Sequence, residues 1–314
     1  MTTQQIDAVE GLRTLLLIDG ANFLYRAYHA LERMNRSFTA PDGQHVGAFM
    51  TFATMVKKAM ELSGADATAI IFESTTGTFR DEIFPEYKAT RKETPDAVRS
   101  QMRLVRDIFP LMGVPVLWRD GFEADDLLCS YAANPYDGWR VVMSSSDKDL
   151  GQSIGPRASQ LVPDGWEIRD EAKLFAKFKV GPALIAQFLA LQGDNVDNIP
   201  GVDRCGAKTA ATLLNKYGSI EGIYANVQAQ TPALKAGLLA AKDRIAGLVR
   251  LTTAETSLAL PMTAAEIFEA NRSPDWAAAL EALTPLGTRN LIARATLGVE
   301  AQAAKKARMA AARP

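Results

Sequence analysis

Gly121-Phe122-Glu123-Ala124-Asp125-Asp126-Leu127-Leu128 sets three carboxylates within four positions, directly after an apolar run (residues 114–118, Val-Pro-Val-Leu-Trp) and at the start of a helix-like one. On a helix, Glu123 and Asp126 lie one turn apart and share a face, while Asp125 is offset toward whatever the strand ends point at. An acidic first turn suited to the helix dipole accounts for this stretch taken alone. It does not account for the recurrence of the same arrangement elsewhere.

Upstream, residues 14–18 (Thr-Leu-Leu-Leu-Ile) run into Asp19-Gly20, and residues 69–72 run into Glu73. Downstream, residues 139–143 lead through three serines to Asp147-Lys148-Asp149. Short continuous apolar runs of this kind read as buried parallel strands. Helices are expected between them, from about Asn22, over 46–62 and over 95–109. His29 falls inside the first and reads as structural. Strands alternating with helices predict an α/β protein with a parallel sheet, in which ligands gather outside the carboxyl ends of the strands. Asp19, Glu73, Glu123, Asp125, Asp126, Asp147 and Asp149 all map to that edge.

Beyond about residue 161 the pattern turns helical. Residues 184–191 feed Gly193-Asp194-Asn195-Val196-Asp197-Asn198-Ile199-Pro200-Gly201, with Asp194 and Asp197 again one turn apart. The following Gly201 to Thr209 turn opens a helix to about Tyr217, and such a turn presents backbone N–H groups to a phosphate. Residues 232–297 look all-helical and say nothing about chemistry; residues 301–314 form a basic, weakly helical tail.

Bulk properties set few limits. The chain has 314 residues, 47% hydrophobic and 23% charged, which at about 150 residues per domain suggests two domains. A net charge of -1 neither favours nor excludes a nucleic-acid partner. Two cysteines, Cys129 and Cys205, are too few for a disulfide framework or a zinc site and fit a reducing compartment. The polar start without an apolar core, and the lack of any membrane-length apolar run, predict a cytoplasmic protein.

If the acids converge, their charges must be compensated. Two like charges about 4 Å apart repel by roughly 4 kcal/mol at an effective dielectric near 20. Several such pairs rival a total stability of about 5–15 kcal/mol. Either some carboxylates hold protons or divalent cations neutralise them. Oxygen ligands without His or Cys point to Mg²⁺ or Mn²⁺, and the number of acids suggests two ions. Positive charge for an anionic substrate is at hand in Lys88 and Arg91, one turn apart beside Tyr87, and in Lys208. The stripe Arg99, Arg103 and Arg106 reads as a solvated face. The combination reads as metal-dependent phosphodiester hydrolysis.

With these residues in place, the chain resembles the structure-specific 5'-nucleases: the flap endonucleases and the 5'-3' exonuclease domain of bacterial DNA polymerase I. The resemblance is carried, in the family's order, by Ile18-Asp19-Gly20 with Tyr25-Arg26, Phe79-Arg80 through Tyr87-Lys88, Arg91 to Pro95, Glu123-Ala124-Asp125-Asp126, Asp147-Lys148-Asp149 and Gly193 to Gly201. It implies a PIN-like α/β core over residues 14–183, preceded by a loose leader (1–13) and crossed by a helical arch at about 79–110. A helical region over 184–300 follows, with a helix-three-turn-helix element at about 184–225 and the basic tail after it. It also implies a first metal at Asp19, Glu73, Glu123 and Asp125, and a second at Asp125, Asp147, Asp149 and Asp197. Asp126 and Asp194 become acidic supports. Lys88 and Arg91 would stabilise charge on the scissile phosphate. Strand contacts fall to Arg26, Arg80 and Tyr87, and duplex contacts to Gly201, Arg204, Gly206, Lys208 and Thr209.

Implied partners are DNA with a 5' flap, a 5' overhang or a nick, and a DNA polymerase, around a monomeric, free-standing, nucleoid-associated bacterial-type enzyme. Two departures stand out. Glu73 replaces the usual Asp, and Arg204-Cys205-Gly206 replaces the commoner Gly-Ile-Gly where the family holds K⁺ on backbone carbonyls. The turn at 201–209 misses a P-loop by one residue, Ala207, and lacks its preceding strand. Asp19 is followed by Gly-Ala rather than by a second Asp two positions on, against a haloacid-type phosphatase. A branched-DNA binding module with a degenerate metal site is the alternative that stays open.

Overall fold

The computed structural model describes residues 11–134 and 137–311. In chain order these form β1 (Arg13–Asp19), α1 (Gly20–Arg33), α2 (Gly47–Ser63), β2 (Ala67–Ile71), α3 (Phe79–Ile83), α4 (Asp96–Ile108), β3 (Val116–Leu117), α5 (Ala124–Ala133) and β4 (Trp139–Ser144). There follow β5 (Ala158–Val162), β6 (Glu167–Arg169), α6 (Glu171–Phe178), α7 (Ile185–Gln192), α8 (Ala207–Tyr217), α9 (Ile220–Ala225), α10 (Pro232–Ala241), α11 (Ile245–Thr252), α12 (Ala264–Asn271), α13 (Trp276–Leu283) and α14 (Arg289–Ala311).

The strands make one sheet in the order β3-β2-β1-β4-β5-β6, parallel except for β6 at the edge. β1 reads as an unbroken apolar run because both faces of the sheet are covered. Leu16 and Ile18 pack with Phe23, Phe49, Phe52 and Val105 under α1, α2 and α4, while Leu15 and Leu17 pack with Leu127, Leu128 and Tyr131 of α5 on the other side. Each such buried side chain contributes about 1.5–3 kcal/mol. A third core joins α7 to α11 through Phe188, Leu189, Leu214, Leu238 and Leu248, and Tyr87 inserts into it from the segment after α3.

Three features depart from expectation. β6 occupies a region expected to be helical, and β5, just before it, was not among the expected strands. The run at 158–162 is interrupted by Gln160, which is fully buried because Arg169 Nη1 donates to its Oε1 at 2.8 Å and its Nε2 donates to the carbonyls of Ser145 and Asp147. A buried but satisfied amide costs little, yet it hides the strand from a reading based on apolar runs. α4 is not part of a free arch, since Val98, Val105 and Ile108 are buried against the sheet layer. Between α11 and α12 the chain leaves helix, and α5 satisfies its backbone: Ser130, Tyr131 and Asn134 bond to residues 255, 256, 258 and 262. The basic tail continues α14 to Ala311; the first ten residues of the leader and the last three of the tail lie outside the described residues. No single described helix is long and apolar enough to cross a membrane.

Candidate metal centre

The strand order reverses at β1, which has β2 on one side and β4 on the other, and a crevice forms at the carboxyl ends there. Asp19 ends β1; its Oδ1 accepts the Asn22 N–H at 3.0 Å, capping α1, and its Oδ2 accepts the Ser145 hydroxyl at 2.8 Å. Glu73 follows β2. Glu123 caps α5 after β3, and Asp125 lies in that helix's first turn. After β4, Asp147 accepts the Asp149 N–H at 2.9 Å, which folds the two acids into one turn. Asp19, Glu73, Glu123, Asp125 and Asp147 line a single cleft of about 960 Å³. Two residues on from Asp147, Asp149 meets Asp194 and Asp197 with one carboxylate oxygen from each inside 4.8 Å of the others.

Burial, then the charges of Asp147, Asp19, Asp149 and Glu123, push the Asp125 carboxyl well above its ordinary range. Asp149 is raised in the same way, first by burial and then by Asp147. For Asp19, burial outweighs the hydrogen bonds from Asn22 and Ser145, and the group rises to about 6. Three cations reach in: Lys88 Nζ to Glu123 Oε1, Arg91 Nη2 to Asp197 Oδ1 and Lys148 Nζ to Asp194 Oδ2, each at 2.5 Å. They compensate the outer acids. Asp125 has no cationic partner among the described residues, and Asp149 Oδ1 is buried without a hydrogen-bond donor.

That orphaned oxygen, the surplus of negative charge and a donor set made of carboxylates alone fit hard divalent cations. Cys129 and Cys205 are buried, and burial raises both thiols, Cys129 far above its ordinary range and Cys205 to about 11, so neither offers a thiolate.

Several predicted residues take other positions. Asp126 is fully buried and is a structural anchor rather than a metal ligand: both its oxygens accept from Arg80 at 2.7 Å, and it also accepts the N–H groups of Glu123 and Glu255. Arg80 is correspondingly no strand contact, being 3% exposed and also donating to the carbonyls of Leu251 and Thr253. Tyr87 is buried too. Its hydroxyl lies 3.2 Å from both Glu123 and Asp197, so it ties the two acids together rather than presenting a ring to DNA. Arg26 lines the cleft but is held by Asp164 and Ser146. Gly201 is buried, with φ +63 and no room for a Cβ beside Gly193, so its place is the turn and not the surface. Arg204, Gly206 and Lys208 are exposed, Thr209 is half-buried, and α8 is preceded by Gly206 as N-cap, which offers no side chain and leaves the first N–H groups of the helix free.

Lys148, Ser145 and Asn198 carry parts of the site that sequence reasoning left without a role. Asn198 adopts φ +59 and its Nδ2 donates to the Glu86 carbonyl at 2.7 Å, while the Lys88 N–H donates to the Asp197 carbonyl at 3.1 Å. These bonds staple the Lys88 segment to the loop holding Asp194 and Asp197. A lysine between two clustered acids was the available signal for Lys148; nothing local marks Asn198 as a partner of Glu86.

Residues 14–179 match the 5'-3' exonuclease N-terminal resolvase-like domain, and residues 180–274 match the 5'-3' exonuclease C-terminal SAM fold. The chain is 34% identical to a 5'-3' exonuclease of Aquifex aeolicus over 217 residues, 68% of this chain and 73% of that protein. It is 35% identical to the thermostable DNA polymerase I of Thermus aquaticus over 262 residues, 83% of this chain but only 30% of the polymerase. Among solved structures, the T5 D15 protein co-crystallized with metal ions superposes with a TM-score of 0.64 at 17% identity, covering 91% of this chain and 98% of that one. The flap endonuclease-1 from Methanococcus jannaschii superposes at 0.52, also at 17% identity, covering 90% and 94%.

Proposed function

We infer the reaction from a plain premise: this chain belongs to the 5'-3' exonuclease family, whose two domains it carries in order. It is a phosphodiester hydrolase with 5'-3' exonuclease and flap endonuclease character. We propose that it acts on DNA with a 5' flap, overhang or nick, cutting near the junction to leave a 5'-phosphate and a 3'-hydroxyl. The observation that carries this is the cleft in which Asp19, Glu73, Glu123, Asp125 and Asp147 face Lys88 and Arg91.

Asp19, Glu73, Glu123 and Asp125 would hold one divalent cation, and Asp125, Asp147, Asp149 and Asp197 a second, with Asp194 supporting from behind; Mg²⁺ or Mn²⁺ suits such oxygen donors. When bound, such ions supply charge for the attacking and leaving oxygens and lower the pKa of a coordinated water. The protein does the rest. Lys88 and Arg91 bring positive charge to the phosphate and hold Glu123 and Asp197 in place until it arrives. Burial pushes the Lys88 ammonium down, and Glu123 more than offsets it, so the charge is kept across the working pH range. Tyr87 keeps Glu123 and Asp197 in fixed relation.

The division of labour near residue 180 assigns chemistry to the sheet and duplex binding to α7 and α8, with Arg204, Lys208 and the free N–H groups of α8 against the backbone. K⁺ at 201–206, a DNA polymerase as partner, a monomeric state and a nucleoid location belong to the same proposal.

A 5'-labelled flap duplex incubated with excess protein in Mg²⁺ and in EDTA tests the reading. Cleavage in Mg²⁺ alone is the expected result. Binding without cleavage in any divalent cation would instead favour a non-catalytic branched-DNA module.

A further inference from the structure

At the edge of the sheet beyond Glu73, Trp118 is 46% exposed although it directly follows the short strand β3. Arg106 of α4 packs behind it, with its guanidinium carbon 5.7 Å from the Trp118 ring centre and 5.1 Å from that of Phe72. One guanidinium nitrogen donates to the Glu73 carbonyl at 3.3 Å, which fixes this stack against the rim of the cleft. The Nε of Arg106 is buried without an acceptor, and neither Arg106 nor the exposed Arg103 and Arg119 forms an ion pair among the described residues. Arg99, on the same helix, is by contrast paired with Glu93 and Asp96.

An indole face left open to water, supported by an arginine with no carboxylate partner and flanked by two more such arginines, is the composition that holds an unpaired nucleobase next to its phosphates. Direction follows from the strand order. The proposed duplex grip at α7 and α8 lies on the Asp149, Asp194 and Asp197 side, beyond β4; Glu73 and Trp118 lie on the opposite side, beyond β2. A strand entering from the duplex and crossing the carboxylates leaves over Glu73.

Resting on the proposed flap-cutting reading, we propose that Trp118, backed by Arg106, is a stacking platform for a nucleobase of the single strand that leaves the cleft past Glu73. Arg103 and Arg119 meet the adjoining phosphates.

Equilibrium binding in EDTA, free of turnover, tests this with three probes: a nicked duplex without a flap, the same duplex with a short 5' flap, and one whose flap carries abasic sites. Trp118→Ala should weaken flap binding about tenfold, with Trp118→Phe retaining most of it. The nicked duplex should bind both variants as it binds the wild type, which also shows that they are folded. The abasic flap should bind the wild type no better than the ordinary flap binds Trp118→Ala. Equal flap affinity in wild type and Trp118→Ala overturns the platform while leaving flap cutting intact. A wild type that binds none of the three probes overturns the underlying nuclease reading as well.

Discussion

Around Asp126 a carboxylate receives two N–H groups from Arg80 and two from the backbone of Glu123 and Glu255, all inside the protein. Around Asp125, one residue earlier, carboxylates face carboxylates, and the lysines and arginines that approach stop at the outer members. Both regions grow from the first turn of α5. The chain evidently can neutralise a buried acid with its own groups. Its failure to do so in the cleft is what supports the proposal that charge comes from outside: cations for the acids, and a phosphate for Lys88 and Arg91. Arg80 links the two regions, since its Nη1 also lies 3.6 Å from Glu123 Oε2.

The sharpest way to break this contrast is to substitute the two aspartates separately. Asp125→Asn should lower single-turnover cleavage at least about a thousandfold, equivalent to about 4 kcal/mol of barrier, while the metal-free protein becomes no less stable. If it proved both active and destabilised, Asp125 would belong with Asp126. Asp126→Ala should do the reverse, costing about 3 kcal/mol or more of stability in chemical denaturation, because Arg80 is left buried without its partner. Replacing Arg80 and Asp126 together by leucines should recover part of that loss, and a double variant as unstable as the single one would argue against an isolated ion pair.

A smaller effect follows from pH. The folded Asp19 holds its proton to about pH 6 against an ordinary 3.8, so its contribution to stability is fully present below the lower value and is lost as pH rises through the upper one. Asp125 and Asp149 are shifted in the same direction. In EDTA, thermal unfolding should therefore show a melting temperature that falls between about pH 4 and pH 7, the contribution of Asp19 to the lost unfolding free energy being at most about 3 kcal/mol. Mg²⁺ should reverse the loss at pH 8 in the wild type and much less in Asp125→Asn. A Mg²⁺ effect of equal size in both proteins would place the cation elsewhere.

The acids of the cleft were legible because a parallel sheet brings the carboxyl ends of its strands to one edge, and β1, β2 and β4 announce themselves as apolar runs buried on both faces. Gln160 broke the run of β5, and the sheet's far edge was missed with it. The resemblance already set Asp126 apart from Asp125 as a support, but the partners that neutralise it were not legible: Arg80 lies 46 residues before Asp126 and Glu255 lies 129 after it. Tyr87 beside Lys88 looked like a ring for nucleic acid, and its burial in the helical core depends on packing that no local pattern records.

The sequence by itself determined the α/β alternation, the edge at which the acids collect and the oxygen-only character of the site, because each follows from local periodicity and side-chain chemistry. Only the tertiary structure decided which acids are already neutralised, which cations are committed to them and which aromatic side chain faces solvent. Those outcomes depend on distances in space, since Coulomb attraction and desolvation act between groups that meet through the fold, whatever their separation along the chain.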